Sequence, residues 1–582
     1  WWDLNDAYYE IPNGSNKHSM FAGALWIGGL DDQDNLKVAA MTYRQDGNDF
    51  WPGPLNADPT SSEYGSVSAS TCAEYDRHYK VTRQEVEDYV AYLNCISEPG
   101  CDMSAYDGYV QPAIINDWPA SRIDVDGTYN YLAPFVDVNG DGSYTTGVDY
   151  PGYDLEGVAD CKTDDVLFGD QTLWWVFNDN GNIHTESGSE SAIGLEIQAQ
   201  AFGFSTNDEI NDMTFYSYKI MNRSTSVLND TYFGQWVDPD LGNYQDDYVG
   251  CDVSLGLGYC YNGDADDDGT AGYNYDSDDP PPAIGVDFFR GPLADIGDGI
   301  DNDKDGEIDE PGEQIIMSKF VYYNNDFSDF GNPENATHYY GYLRGIWKNG
   351  QPMTYGGTGW ESSNPECNFM FPGTTDPSFS EEWTEITAGN DPADRRFLQS
   401  AGPFTLEPGA VNYITTGVVW ARANEGNNFD SVEKLKENDQ FAQDLFDICF
   451  DFSQLDPELF GCTDPIALNF DPDAVYNDYS CIFEGCTDPI ACNYEYFANL
   501  DDGSCKYCFT NKPYPIIGIF NNSSLELMSS SVGSGYFDWD GENTLSEASD
   551  LSFVCLAAGD TCPSNPSFLI DNLDIETLLE IE

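Results

Sequence analysis

Short runs of β-branched and aromatic residues, bounded by Gly, Asn or Asp, recur along most of the chain. Such runs are typical of strands. The pattern predicts a mainly β fold made of several Ig-like β-sandwich domains with long acidic loops. The clearest runs are LKVAAMTYR, QTLWWVFND, GLEIQAQAFGF, MTFYSYKIMN, QIIMSKFVYYN, THYYGYLRGIW and VNYITTGVVWAR, which begin at residues 36, 171, 194, 213, 314, 337 and 411.

Two segments have helical periodicity instead. In TRQEVEDYVAYLN, Thr82 and Glu85 have the spacing of a capping box, which predicts a helix start. The second segment, DSVEKLKENDQFAQDLFDICF, is expected to close a domain near Cys449. The apolar face of the first helix consists of Val86, Tyr89, Val90 and Leu93.

An internal repeat begins at Gly461 and again at Gly485, each time with GCTDPIA. One copy is too small to enclose a core, so we expect a disulfide within each repeat. The predicted pairs are Cys462–Cys481, Cys486–Cys505 and Cys492–Cys508. The carboxylates that would add a cation to each copy are Asp464 with Asp478 and Asp488 with Asp502.

These patterns predict four regions. Residues 1–165 form an N-terminal β-rich domain with one helix and a calcium loop, and residues 166–450 form one or more β-sandwich domains with acidic insertions. Residues 461–508 are the tandem repeats, and 509–582 are a small C-terminal β module.

The charge balance selects the class of partner. The 582 residues include 103 Asp and Glu against 22 Lys and Arg, a formal charge of −81. This charge argues against nucleic acid or an anionic membrane as the main partner and favours cations. Scattered acids also occur on solvated, salt-adapted surfaces, so only patterned acids indicate a metal site.

Cysteine usage indicates the compartment. Sixteen cysteines with regular spacings, alongside only four histidines, predict disulfides and an extracellular or cell-surface location. No apolar run approaches the length of about 20 residues that spans a bilayer, so we expect no direct membrane span.

Three stretches follow the pattern Asp-x-Asp/Asn-x-Asp-Gly, in which the glycine permits a turn that brings oxygens onto one hard cation. A standard EF-hand loop has its last acid at a position that is occupied here by Val148, Tyr275 and Gly312. An acid follows one place later in each stretch, so the pattern predicts variant calcium loops. The Asp264 stretch has a solvated insertion as its alternative. The predicted Ca²⁺ ligands are Asp137, Asn139, Asp141 and Asp149; Asp264, Asp266 and Asp268; and Asp301, Asp303, Asp305, Glu307, Asp309 and Glu313.

A fourth acidic cluster lies in DPDLGNYQDDYVGCD. Like charges this close repel one another, which favours a metal site over a polar loop. Cys251 and Cys260 bracket the following segment and predict a disulfide-pinned hairpin, with two buried thiols as the alternative. The acids of this cluster are Asp238, Asp240, Asp246, Asp247 and Asp252.

Catalytic signatures are absent from the sequence: it contains no HExxH pair, no G-x-S-x-G elbow and no P-loop. We therefore expect no enzyme, although a glycosidase carboxylate pair needs no local motif. Aromatic residues in YYGYLRGIW could stack on sugars, but alternating aromatics are more often core.

Several segments together resemble a known family. FAGALWIGG, KVAAMTYRQDGNDFWPGPL, YLAPFVDVNGDG, GDQTLWWVFND and GPFTLEPGAVNYI are similar to large surface proteins exported by the bacterial type IX secretion system. The GCTDP repeats resemble stalk repeats of those proteins, and DGIDNDKDGEIDE resembles thrombospondin type 3 calcium repeats. The resemblance covers roughly residues 1–508 and implies export and a multidomain β architecture, but no activity. The family's C-terminal sorting domain is not evident in the last seventy residues, which implies either that it is cleaved or that the match is incomplete.

The resulting functional hypothesis is a calcium-stabilised extracellular structural protein that forms a homo-oligomer. It would be a subunit of a cell-surface filament or layer, or an adhesin. The alternative is a secreted polysaccharide-binding protein or a glycoside hydrolase with a surface polysaccharide as its partner.

Overall fold

A computed structural model describes residues 9–450 except 13, 43–46, 107, 124–126, 128, 158, 160, 162–164, 207–208, 268, 270, 273 and 276–279. Beyond residue 450 it describes 460–462, 467–472, 474, 476–477, 480–486, 498, 500–501, 503–505, 518–520 and 527–530. The fold is mainly β, as the sequence predicts. Two compact units are present, Trp1–Leu455 and Asp456–Glu582.

The first unit is built from short and long strands in chain order. They are β1 (Tyr9–Glu10), β2 (His18–Met20), β3 (Ala22–Leu30), β4 (Leu36–Ala39), β5 (Trp51–Pro52), β6 (Tyr79–Thr82), β7 (Ser121–Ile123), β8 (Tyr129–Tyr131), β9 (Phe135–Val136), β10 (Tyr150–Pro151), β11 (Gln171–Asn178), β12 (Leu195–Gly203), β13 (Thr214–Asn222), β14 (Leu228–Asp238), β15 (Asp247–Asp252), β16 (Leu257–Asn262), β17 (Ala283–Arg290), β18 (Lys319–Asn324), β19 (Arg395–Leu406) and β20 (Val411–Ala421).

Six helices accompany these strands in the described part of the unit. They are α1 (Ala69–Glu74), α2 (Arg83–Ser97), α3 (Ala113–Asp117), α4 (Ala336–Leu343), α5 (Glu385–Ala388) and α6 (Asn428–Asp447). Within the portion of the chain that the structure describes, no helix combines the length and apolar content needed to cross a membrane.

Two antiparallel sheets dominate the unit. One has nine strands in the order β15-β16-β17-β20-β13-β12-β11-β5, with β6 also paired to β11. The other has five strands in the order β18-β19-β14-β3-β4. One hydrophobic core contains residues of both sheets, including Trp26 and Trp236 from the smaller and Ile197 and Val418 from the larger. The two sheets therefore face each other across a shared core.

The boundary expected at residue 165 does not separate two units. Strand β3 pairs with β14, and β5 and β6 pair with β11. Strands from the first 165 residues thus complete both large sheets, and dividing the chain there would remove the β3–β14 ladder from one sheet and the β5–β11 and β6–β11 ladders from the other.

Both predicted helices are confirmed. The Thr82 hydroxyl accepts a hydrogen bond from the Glu85 backbone (3.2 Å), and the Glu85 carboxylate accepts one from the Thr82 backbone (2.9 Å), which starts α2. Val86 and Tyr89 of its apolar face are fully buried. Helix α6 packs on the nine-stranded sheet, and Cys449 just beyond it forms a disulfide with Cys161.

The strand predicted for THYYGYLRGIW is wrong, because this segment forms α4. Asn335 caps the helix by accepting a hydrogen bond from the His338 backbone (3.2 Å), and buried Tyr339 and Tyr342 follow with helical spacing. Tyr340 is also buried. These tyrosines are core residues and leave no surface there for stacking on a sugar.

The disulfide predicted between Cys251 and Cys260 is also wrong. In the β15–β16 ladder Cys251 lies opposite Gly258, and Cys260 lies opposite Val249. The two cysteines are therefore diagonal neighbours rather than a direct cross-strand pair. Both are buried thiols, and burial raises the pKa of each well above its usual value.

The second unit confirms the pairing within each repeat. Disulfides join Cys462 to Cys481 and Cys486 to Cys505, each across 19 residues. The pair Cys492–Cys508 lies outside the described residues. The short strands of this unit are β21 (Phe460–Gly461), β22 (Tyr476–Asn477), β23 (Glu484–Gly485), β24 (Leu500–Asp501), β25 (Gly518–Phe520) and β26 (Leu527–Ser530).

Candidate metal centre

The acidic loop, residues 298–313, lies between β17 and β18 and is closed at its base by backbone hydrogen bonds. The Ala294 amide donates to the Glu313 carbonyl (2.9 Å), and the Ile315 amide donates to the Pro292 carbonyl (2.7 Å). Leu293 forms an isolated bridge with Gln314. The two ends of the loop are thus joined to each other just beyond β17.

Five carboxylates converge inside this loop as two overlapping triads. Within each triad the ligand atoms lie within 4.8 Å of one another. Asp303 belongs to both triads and so links the two groups. The first triad is Asp301, Asp303 and Asp305, and the second is Asp303, Glu310 and Glu313.

Backbone amides of the loop orient the first triad. The Gly306 amide donates to Asp301 (3.2 Å), and the amide of Glu307 donates to Asp305 (2.8 Å). Gly306 has a φ of 100°, a conformation that a residue with a side chain rarely adopts. The glycine of the sequence pattern therefore makes the turn that was expected of it.

The second triad contains two predicted residues, Asp303 and Glu313, and one missed residue, Glu310. Glu313 is buried and accepts a hydrogen bond from the Asn302 backbone, which fixes its carboxylate under the loop. A turn in which the Glu313 amide donates to the Glu310 carbonyl (3.3 Å) places Glu310 alongside it. The signal for Glu310 is its spacing of three residues from Glu313 across the Pro311-Gly312 turn.

Two other predicted ligands lie outside the triads. Asp309 accepts a hydrogen bond from the Gly299 backbone (3.0 Å) and so closes the start of the loop. Glu307 is exposed and belongs to neither group. Their role in the loop is therefore separate from the convergence of the five carboxylates.

The electrostatics of the triads suit a hard cation. Burial raises the pKa of Asp303, and the neighbouring charges of Asp305, Glu313 and Asp301 raise it further. Asp301 Oδ1 and both carboxylate oxygens of Glu310 are shielded from solvent and have no hydrogen-bond partner among the described residues. Converging oxygens without donors are the ligand type that Ca²⁺ takes in six- to eight-fold coordination.

The positively charged side chain of Lys304 forms no ion pair with the triads. Its ammonium group donates to the backbone carbonyls of Val253 (3.1 Å) and Met317 (3.0 Å) and lies 4.9 Å from the Phe369 ring centre. Burial lowers the pKa of Lys304 to about 8. Among the described residues no carboxylate lies within ion-pair distance of it, so Lys304 anchors the loop and interacts with Asp301 of the first triad only at longer range.

The chain matches no protein-family model and no curated protein sequence. The interpretation of the acidic loop therefore rests on its own geometry and chemistry.

The loop around Asp137 is organised differently. Asp137 accepts hydrogen bonds from the amides of Gly140 and Gly142 (both 2.7 Å), and buried Asp149 accepts from those of Val138 (2.9 Å) and Thr145 (2.6 Å). These carboxylates therefore accept hydrogen bonds from the loop backbone. Together with Asp141 they do not bring three ligand atoms within 4.8 Å of one another. Asn139 and Asp141 bind the next amides along the turn.

In the stretch around Asp264, the buried carboxylate is not one of the predicted ligands. Asp264 and Asp266 are exposed, whereas Asp267 is buried and accepts hydrogen bonds from the amides of Asn243 (2.9 Å) and Tyr275. No sequence signal distinguishes Asp267 from its neighbours. The predicted ligands outside the described residues are Asp268, Asp464, Asp478, Asp488 and Asp502.

The fourth predicted cluster is divided by the fold. Asp238 and Asp240 meet Asp394, and Arg396 binds both Asp238 (3.0 Å) and Asp394 (2.7 Å). An arginine 158 residues away in sequence thus provides positive charge to this group. Asp247 accepts from the Leu241 amide (3.0 Å) instead. Asp246, a predicted member of the same cluster, accepts a hydrogen bond from the Asn243 side chain (2.8 Å).

Asp252, the last member of that cluster, lies with two buried carboxylates between α6 and the nine-stranded sheet. Asp287 on β17 and Asp439 on α6 are each 1% exposed, and neither oxygen of Asp287 has a hydrogen-bond partner in the described structure. Lys436 is 3.5 Å from Asp252. Burial and the charge of Asp252 together raise the pKa of Asp287 to about 8. Burial and the charges of Asp287 and Asp252 raise the pKa of Asp439.

Replacing Asp287 by asparagine should stabilise the protein in a pH-dependent way. The folded pKa of Asp287 lies above the unfolded value of about 3.9, so its stabilising contribution is complete below that value and is lost as pH rises to about 8. We expect Asp287→Asn to melt close to the native protein near pH 4 and several degrees higher near pH 8.

Thermal melts at the two pH values measure this difference, with Asp264→Asn as the control because Asp264 is exposed. A lower midpoint for Asp287→Asn than for the native protein near pH 8 would mean that the ionised Asp287 carboxylate is stabilised by an unrecognised partner.

Proposed function

We propose that this protein is an extracellular structural protein whose acidic loop binds Ca²⁺ and whose subunits assemble through that loop. The observation that carries the proposal is the pair of triads around Asp303. Five carboxylates that form no ion pair with a described residue repel one another, and a bound divalent cation would remove that repulsion. The disulfides within both units fit an oxidising environment outside the cytoplasm.

The acidic loop and the residues just before it also expose aliphatic side chains, which supports assembly. Ile296, two residues before the loop, is 95% exposed, and Ile308 and Ile300 within the loop are 58% and 47% exposed. Apolar side chains grouped on a surface commonly mark protein contacts. Here they stand among carboxylates, so two copies could bring them together only after cations reduce the charge repulsion.

Calcium-dependent self-association tests this proposal. We expect light scattering from the native protein to increase across a calcium titration up to about 10 mM, a range above the dissociation constants typical of extracellular sites. Ile296→Ser with Ile308→Ser should abolish the increase because it removes the apolar contact. The matched control is Ile183→Ser, which alters a residue 74% exposed outside the loop.

Two results would contradict the assembly. A chain that remains monomeric at high protein concentration and saturating calcium would leave only a monomeric adhesin stabilised by the ion. Equal association of the loop variant and the native protein would place the contact elsewhere on the surface.

A further inference from the structure

An open cleft of about 510 Å³ lies at one end of the core between the two large sheets. Strand β3 of the smaller sheet forms one wall, and β5 and β11 of the larger sheet form the other. The wall from β3 is lined by small residues, Gly23 and Ala24, which leave the space open. Its volume falls in the range of natural ligand sites.

The opposite wall is aromatic because of the alternation along β11. Trp174 and Val176 point to the core beneath α2, so Trp175 and Phe177 point to the other face and into the cleft. Phe50 meets Phe177 edge to face at 5.5 Å. These rings are only partly buried, and they pack against the edge of the shared core.

The rim adds polar groups to this aromatic wall. Asp76, Arg77 and His78 follow α1 and are exposed. The His78 ring lies edge to face against Trp175 at 5.3 Å, and the Arg77 guanidinium stacks on Tyr79 at 4.2 Å. Asp76 bonds to no described residue, which leaves its carboxylate able to accept from a ligand.

We propose that this cleft binds a neutral saccharide. A sugar ring presents an apolar C–H face to an aromatic wall and hydroxyl groups to a polar rim, and this cleft offers both surfaces side by side. A net charge of −81 disfavours nucleic acid and anionic polysaccharides, and a purely apolar ligand would make no use of the polar rim. The inference goes beyond the proposed structural function and does not depend on calcium.

Calorimetric titration of the full chain with neutral hexasaccharides tests the inference. The probes are oligomers of β-1,4-glucose, β-1,3-glucose, α-1,4-glucose, β-1,4-xylose and N-acetylglucosamine, at up to about 10 mM so that millimolar affinity is detected. We expect at least one to bind, and Trp175→Ala to weaken that binding at least tenfold. Phe327→Ala is the control because Phe327 is 79% exposed and lies outside the cleft.

A second variant keeps the test decisive if Trp175→Ala fails to fold. Asp76→Asn alters only an exposed side chain and should also weaken binding, whereas Asp266→Asn, at an exposed position outside the cleft, should not. Absence of binding by all five oligomers overturns the inference. Binding that Trp175→Ala and Asp76→Asn leave unchanged overturns it as well, because the saccharide would then occupy another surface.

Discussion

Removal of calcium is expected to lower the thermal unfolding midpoint by roughly 5 °C. A site held at 100 times its dissociation constant contributes about 2.7 kcal/mol to the free energy of unfolding, and in a large unit each kcal/mol shifts the midpoint by only about 2 °C. The chelated protein retains five mutually repelling carboxylates in the acidic loop, as the raised pKa of Asp303 indicates. Melting curves with about 10 mM calcium and with excess chelator measure the difference.

A matched pair of variants in the same loop locates the site. Asp303→Asn removes the carboxylate shared by both triads and should reduce the calcium-dependent shift to near zero. Glu307→Gln removes the same charge from an exposed residue outside the triads and should preserve the shift. A midpoint that does not respond to chelator in the native protein, or equal responses in both variants, would refute calcium binding by the triads.

Loss of the Cys161–Cys449 disulfide is expected to cost about 6 kcal/mol of unfolding free energy. The bond joins residues 288 apart, and closure of so long a loop removes much entropy from the unfolded chain. It also attaches the end of α6 to the segment before β11, beside the buried ring of Phe168. Denaturant unfolding of Cys161→Ser/Cys449→Ser measures the loss.

The disulfide Cys95–Cys101 provides an internal control. Its two residues are only 6 apart, so the same entropy relation predicts a cost of about 2 kcal/mol for Cys95→Ser/Cys101→Ser. If the two double variants are equally stable, the long bond does not constrain the unfolded chain. A stabilising effect of either double variant would indicate that its bond strains the native fold.

Local patterns proved sufficient where the structure depends on near neighbours. The strand over QTLWWVFND follows from its period of two, and the start of α2 follows from the Thr82–Glu85 capping box. The strand prediction failed for the segment that forms α4, because a run of aromatic residues occurs in both strands and buried helices. The N-cap at Asn335 is the local feature that indicates the helix.

The acidic loop shows where sequence information ends. Spacing along the chain determined that Asp301, Asp303 and Asp305 converge, because Gly306 turns the backbone within a few residues. The tertiary structure decided the rest: Arg396 meets Asp238 across 158 residues, Cys161 meets Cys449 across 288, and β11 turns Trp175 towards β3. Turns, caps and periodicity arise from interactions between adjacent residues, whereas these pairings depend on which strands become neighbours when the two sheets pack.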